Sequence, residues 1–372
     1  MTYAMAHSQQ AQQLLAARGP FASIYFNDAH DAPDAGAQRD VLWRDIRREL
    51  EEQGAQATLI ASLEGAVAAA RPSAGSSGHG VISGAGGVVI NERLVAAPVA
   101  SLVRVGELPY VVPLVEHGFV AGTYFVVAVD QVGAELTLYR GHTVRTETVD
   151  AGGYPVHKSA TAGLNGWGDQ QHRAEEAVRK NVRAVADHLT SEVDQHQVEA
   201  VFVIGQDRVR AELMAMLPER VGVRVVQPGC GARHTGVDDT VSQAIAGEFK
   251  ARWLREAGDV ADRFNAEVGR GSGLAAAGLA DVCAALREGA VETLIIGDIA
   301  NETVLAGDDP AILALDADTL SSFGTAPTRT LRADEAIPFA AMAGGAALIR
   351  ADDSLHPLDG VAALLRFVLP GY

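Results

Sequence analysis

Ala174, Val178, Val182, Val185 and Leu189 recur at intervals of four, four, three and four, so a helix through this stretch carries one apolar face along its length. A helix so patterned must lie on something, and the flanking sequence supplies it. Upstream, TYFVVAVD is a continuous apolar run, ELTLYRG follows it across the turn QVGA, and VRTETVD adds a third strand. Downstream, AVFVIG is apolar enough for a strand covered on both faces. An amphipathic helix through Val209, Leu213 and Leu217 and a strand over VGVRVVQP follow. Antiparallel strands followed by alternating strand and helix predict a mixed sheet with helices on it. This unit is assigned to residues 121–248.

The chain of 372 residues is too long for one ordinary core. Before the central unit, residues 1–120 open with the strand FASIYF and the turn-rich NDAHDAPDAG. A helix over Val41, Leu42, Ile46 and Leu50 follows, then a second around Leu59, Leu63 and Val67 that ends at Arg71-Pro72. PSAGSSGHG reads as a flexible loop, and GVVI, LVAAPVASLV and LPYVVPLVE as further short strands. After it, a long helical pattern from Thr240 runs to the break at Gly269–Gly273 and leads into residues 249–372. There LADVCAALREGAVETLIIGDI reads as helix, turn at Gly289 and buried strand, and DEAIPFAAMAGGAALIR as helix then strand. The expectation is an α/β protein of three domains, the last a small α/β sandwich.

Composition narrows the function classes. Cys230 and Cys283 stand far apart with no C-x-x-C pair, so neither a disulfide scaffold nor a cysteine zinc site is indicated, and a cytoplasmic setting is expected. MTYAMAHSQQAQQLLAAR lacks the basic start and apolar run of a signal peptide. AIPFAAMAGGAALI is too short to cross a bilayer, so no membrane partner is expected. A net charge of −17 argues against broad attachment to nucleic acid, so any RNA contact has to be local. No P-loop, H-E-x-x-H or G-x-S-x-G sequence occurs, and GSGLAAAG reads as a linker rather than a dinucleotide loop. The carboxylates of HRAEE read as i,i+4 partners of Arg179 and Lys180 on a solvated face rather than as metal ligands. The paired aspartates at 238–239, 308–309 and 352–353 read as caps and solvated turns. No catalytic residue, metal or cofactor is assigned.

One segment runs against the acidic trend. HKSATAGLNGWGDQQHRAEEAVRKN, from His157, carries Lys158, Arg173, Arg179 and Lys180, with Arg183 just beyond. Between Lys158 and Asp169 lie Gly163, Gly166 and Gly168, which suit close backbone approach to another surface. Asn165, Gln170 and Gln171 offer uncharged hydrogen-bonding groups, and the cations can meet phosphates. Trp167 offers a face on which a base can stack, or an apolar anchor folded back beneath the loop. Asp169 is the expected N-cap, so the loop is placed at 157–169.

This segment, set between a hairpin and AVFVIG, resembles the central-domain loop and helix of bacterial relatives of the archaeal and eukaryotic class I peptide-chain release factors and Pelota. DVCAALREGAVETLIIGDI resembles the helix-and-strand signature of their C-terminal domain, which is akin to kink-turn-binding ribosomal proteins. FASIYF and LPYVVPL extend the likeness over the whole chain in the same order. Within the family the sequence is most similar to the actinobacterial branch of Balon-like ribosome hibernation factors.

The resemblance implies a three-domain release-factor or Pelota architecture and a ribosome-associated translation factor that occupies the A site of idle or stalled ribosomes. His157, Lys158, Asn165, Gly166, Trp167, Gln170, Gln171 and Arg173 would then contact ribosomal RNA. It further implies ribosomal proteins and a translational GTPase such as elongation factor Tu as partners, with the factor monomeric. Release factors of the family carry Gly-Gly-Gln at the loop tip, where this chain has Gly166-Trp167-Gly168-Asp169-Gln170. The stop-codon-reading Asn-Ile-Lys-Ser motif is also missing. The expected role is therefore non-catalytic hibernation or rescue; the alternative is peptidyl-tRNA ester hydrolysis on stalled ribosomes, with Gln170 or Gln171 standing in at the tip.

Overall fold

The computed structural model describes residues 9–27, 35–69, 78–118, 123–140, 143–150, 167–228, 239–299 and 301–369. Its contacts divide the chain into two compact units, one built on Ala121–Glu248 and the other on the segments before and after it. Mixed α/β structure runs through both.

The segment before the central unit holds α1 (Gln9–Ala16), β1 (Phe21–Asn27), α2 (Ala35–Glu52), α3 (Ala57–Ala69), β2 (Gly78–Gly84), β3 (Gly87–Leu94), β4 (Leu102–Gly106) and α4 (Val112–Glu116). Its antiparallel sheet has the order β3-β2-β1-β4. Ile46 and Leu50 of α2 and Leu59, Leu63 and Val67 of α3 bury themselves against Ala22, Ile24, Phe26 and Val81, as the helical spacing predicts. Two readings are corrected here. LPYVVPLVE ends in the short helix α4 rather than a strand, because Pro113 stands at its start, where a missing N–H costs nothing. The GHG that ends PSAGSSGHG opens strand β2 instead of belonging to a loop. Gly80 suits that strand because a Cβ there would come within 2.9 Å of the buried Tyr25 ring. Of LVAAPVASLV, only the two ends enter strands, with Pro98 in the connection between them.

The central unit holds β5 (Thr123–Val129), β6 (Gly133–Arg140), β7 (Thr143–Asp150), α5 (Trp167–His196), β8 (Ala200–Gly205), α6 (Asp207–Met216), α7 (Glu219–Gly222) and β9 (Val225–Val226). Strand order is β7-β6-β5-β8-β9, antiparallel through the first three and parallel from β5 to β9. The predicted mixed sheet is thus present. Val182, Val185, Leu189 and Val193 of α5 pack on Phe125, Val127, Leu136, Leu138, Val201 and Val203, and α6 adds Val209 and Leu213. Alternate residues of β8 point the other way, and Phe202 meets Tyr124 edge-on at 5.9 Å, so the strand is buried on both faces. VGVRVVQP yields only the two-residue β9. α7, with Pro218 at its N-cap, takes up Val221 and Gly222, and Val223 stays 76% exposed, too wet for a core strand.

After the central unit come α8 (Asp239–Arg270), β10 (Ala275–Ala277), α9 (Leu279–Arg287), β11 (Val291–Ile296), β12 (Thr303–Ala306), β13 (Leu313–Ala314), α10 (Ala317–Ser322), β14 (Arg329–Arg332), α11 (Ala333–Ala343), β15 (Ala347–Arg350) and β16 (Val361–Leu365). One sheet has the order β10-β16-β11-β15, with β11 and β15 parallel; β13-β12-β14 form a second. Ala257, Ala261 and Phe264 of α8 cover Ile295, Ile349, Ala362 and Leu364, while α9 and α11 pack against the same sheet. α8 stops where expected, at Gly271, whose φ of +59° an L side chain resists. Burial pushes the Cys283 thiol on α9 up to about 11, which leaves it a core residue rather than a nucleophile. No described helix is long and apolar enough to cross a membrane.

Gly205 closes β8 at φ +142°, and a Cβ there would sit 2.2 Å from the Val129 carbonyl oxygen of β5. Gly205→Ala should therefore cost about 3 kcal/mol or more in urea unfolding. Gly247→Ala, in open space on α8, should instead gain up to about 1 kcal/mol. Equal midpoints for the two variants would contradict this account of the strand end.

Candidate functional site

The expected contact residues fall in two groups. His157, Lys158, Asn165 and Gly166 lie outside the described residues. Trp167, Gln170, Gln171 and Arg173 occupy the first, fourth, fifth and seventh positions of α5. The helix thus begins two residues before Asp169, which is not its N-cap but its third residue. The boundary differs because an Asp suits a first turn as well as a cap, and a single Gly is tolerated there.

Beyond its first two turns, α5 separates its faces cleanly. Arg179, Lys180 and Arg183 are exposed on the side away from the sheet. Lys180 lies 3.2 Å from Glu176, the i,i+4 pair the sequence suggests, whereas Glu175 lies 3.8 Å from Arg208 of α6. Such exposed pairs contribute little stability, so these cations remain available to a partner at small cost. Arg179 and Arg183 have no ion-pair partner among the described residues.

The helix is fixed in place by more than its apolar row. Asn181, 1% exposed, donates from Nδ2 to the Gln131 carbonyl at 2.9 Å, which ties α5 to the turn between β5 and β6. That turn is itself braced by Asp130, whose Oδ1 accepts from the backbone N–H groups of Val132 and Gly133.

A second cluster lies at the other end of α5. Glu147 projects from β7 on the face that carries α5, and its Oε1 lies 3.0 Å from His188 Nε2. Its Oε2 accepts from Arg145 at 3.0 Å. The hydrogen bond with His188 and then that with Arg145 hold the Glu147 carboxyl below the usual carboxylate range. Glu192, one turn past His188, is buried, and one ligand atom from each of Glu147, His188 and Glu192 lies within 4.8 Å of the others. His196, a turn further on, places Nε2 3.3 Å from Glu192 Oε2. This cluster is not among the residues that the sequence alone singles out. Its one visible sign was His-x-x-x-Glu-x-x-x-His beside the apolar row.

In the other unit a cleft of about 550 Å³ is lined by Arg104, Tyr110, Asp298, Asn301, Arg332 and Arg350 among others. Its cations are engaged internally. Arg104 meets Asp334 at 3.5 Å and Glu335 at 3.2 Å, Arg332 meets Asp334 at 2.9 Å, and Arg350 meets Asp353 at 3.1 Å. Burial raises the Glu335 carboxyl against the opposing pull of Arg104. The cleft lies where β4 and α4 meet the ends of β11 and β15 and the start of α11. The paired aspartates behave as expected where they are described: Asp352 and Asp309 accept backbone N–H bonds in their own turns.

A mixed sheet crossed by a long helix defines the central unit, and the exposed face of that helix carries Arg179, Lys180 and Arg183 together with Glu175, Glu176, Asp187 and Asp194. Residues 123–270 match the model of Bacterial archaeo-eukaryotic release factor family 2. Uncharacterized protein Rv2629 of Mycobacterium tuberculosis strain H37Rv is 49% identical over 361 residues, covering 97% of this chain and 96% of the relative. The chain belongs to this release-factor family. Solved structures similar to it include an archaeal translation termination factor, aRF1, at 15% identity, 96% coverage of both chains and a TM-score of 0.24. A model of ribosome-bound archaeal Pelota with ABCE1 is 14% identical, covers 99% of this chain and 96% of its own, and has a TM-score of 0.40. Family membership rests on the mycobacterial relative and the family match, not on these distant folds.

If Asn181 anchors the helix as its geometry indicates, Asn181→Ala should lower stability by about 1–2 kcal/mol in urea unfolding. An unchanged midpoint would remove that hydrogen bond from the account of how α5 is held.

Proposed function

We propose that this protein is a ribosome-associated translation factor that occupies the A site of idle or stalled ribosomes, in hibernation or rescue, without catalysing peptide release. The observation that carries the reading is family membership through the central unit; among the described residues, the exposed Arg179 and Arg183 of its long helix have no ion-pair partner. In this reading residues 1–120, 121–248 and 249–372 act as three domains. The first reaches the decoding region, the segment from His157 to Arg173 points toward the peptidyl transferase centre, and the third meets the stalk base or a translational GTPase such as elongation factor Tu. Binding is as a monomer in the cytoplasm, in the manner of the Balon-like branch. His157, Lys158, Asn165, Gly166, Trp167, Gln170, Gln171 and Arg173 contact ribosomal RNA.

The absence of catalysis in this proposal has a geometric argument. Gln170 is the fourth residue of a helix, nearly a turn past its start, where the family's release factors need a glutamine at a loop tip. Ester hydrolysis depends on placement within about 0.5 Å, which such a displacement forfeits.

Net charge −17 means that local contacts and shape have to supply most of the affinity. Co-sedimentation with 70S ribosomes should therefore be seen at low salt and weaken as salt rises. Lys158→Ala with Trp167→Ala should weaken it by about 10–100-fold, one base stack plus one phosphate contact, without altering the thermal midpoint. No co-sedimentation at low salt would defeat the proposal.

A further inference from the structure

The geometry points to a divalent transition-metal site of the zinc class in the central unit, with Glu147, His188 and Glu192 as ligands and His196 orienting Glu192. It stands apart from the ribosome reading, because none of its residues belongs to the expected RNA-contacting set.

Helix and strand bring the donors together without strain. His188, Glu192 and His196 follow one another at intervals of four, so they form a polar row beside the apolar row of Val185, Leu189 and Val193. Glu147 pairs with Leu136 across β6 and β7, on the face where Leu136 meets the core under α5. Zinc bonds of 2.0–2.2 Å place ligands of a tetrahedron about 3.4 Å apart. Donor atoms already within 4.8 Å of one another would need to close by no more than about 1.4 Å to reach that spacing.

Two features are poorly explained by hydrogen bonding within the protein. Glu192 is only 8% exposed, and its one side-chain partner among the described residues is His196, at 3.3 Å. His196 Nε2 is itself buried and lacks a hydrogen-bond partner. A mostly buried carboxylate with a single imidazole neighbour is incompletely satisfied, which is costly. A cation between Glu192, Glu147 and His188 removes that cost. It leaves Arg145 on the outer oxygen of Glu147 and His196 on that of Glu192, the outer-shell support that metal carboxylates ordinarily have. One imidazole and two carboxylates favour a borderline ion such as Zn²⁺ over Mg²⁺, which prefers an octahedron of oxygens. Glu147 and His188 stand 41 positions apart, so the ion also ties β7 to α5 across the segment that joins them.

The test uses the full chain without an affinity tag, stripped by a chelator and titrated with Zn²⁺ against a chromogenic competitor. One equivalent should bind and raise the thermal midpoint. Glu192→Gln and His188→Asn should each abolish that binding, and His196→Ala should weaken it by about 10–100-fold. Because Glu192→Gln is isosteric and removes a buried charge, it should fold at least as well as the parent without zinc. Zinc bound equally by the parent and both ligand variants, no binding at about 100 µM, or an equal rise in midpoint with Mg²⁺ would each overturn the assignment.

Discussion

Everything in the central unit depends on burying the apolar row of α5 against one face of its mixed sheet. Val182, Val185, Leu189 and Val193 are fully enclosed, and the strands they cover supply Val127, Leu136, Val201 and Val203 in return. Each such side chain contributes roughly 1.5–3 kcal/mol on leaving water. That burial fixes the rotation of the helix about its axis. Once the rotation is set, the positions of Arg179, Lys180 and Arg183 on the outer side follow, as does the line of His188, Glu192 and His196 along the flank. Packing and candidate chemistry are therefore aspects of one helical phase, and Asn181 locks that phase to the neighbouring hairpin turn.

For the proposed ribosomal role, an acidic chain has to rely on local contacts. Long-range attraction toward ribosomal RNA is not available to a body of net charge −17, and screening confines what remains to about a Debye length. Arg179 and Arg183, exposed on α5, are the cations that such local contact could use, although Glu175, Glu176, Asp187 and Asp194 are exposed on the same helix.

Periodicity made most of this legible. The α5 row, the hairpin of β5 and β6, the doubly buried β8, and the α9–β11 and α11–β15 pairs each follow from residue spacing and turn chemistry. Short apolar runs did not carry enough information. In LPYVVPLVE a proline at the helix start separates helix from strand, and in VGVRVVQP the preceding Pro218 caps a helix that takes up its first two residues. The GHG that opens β2 was unreadable for the opposite reason, since its glycines look like a loop until the Tyr25 ring that needs the space is in place. The Glu147 cluster was hidden because half of it is on a strand far away in sequence. The helix half has visible spacing, but only the sheet brings a second carboxylate to it.

The central claim is that α5 leads the protein into the ribosomal A site. A cryo-electron microscopy reconstruction of the full chain with ribosomes from its own source tests it most directly. The account predicts density for the central unit in the A site, with Trp167 at the start of α5 directed toward the peptidyl transferase centre. Density for the chain elsewhere on the ribosome, or in the A site with α5 turned away from RNA, would contradict it.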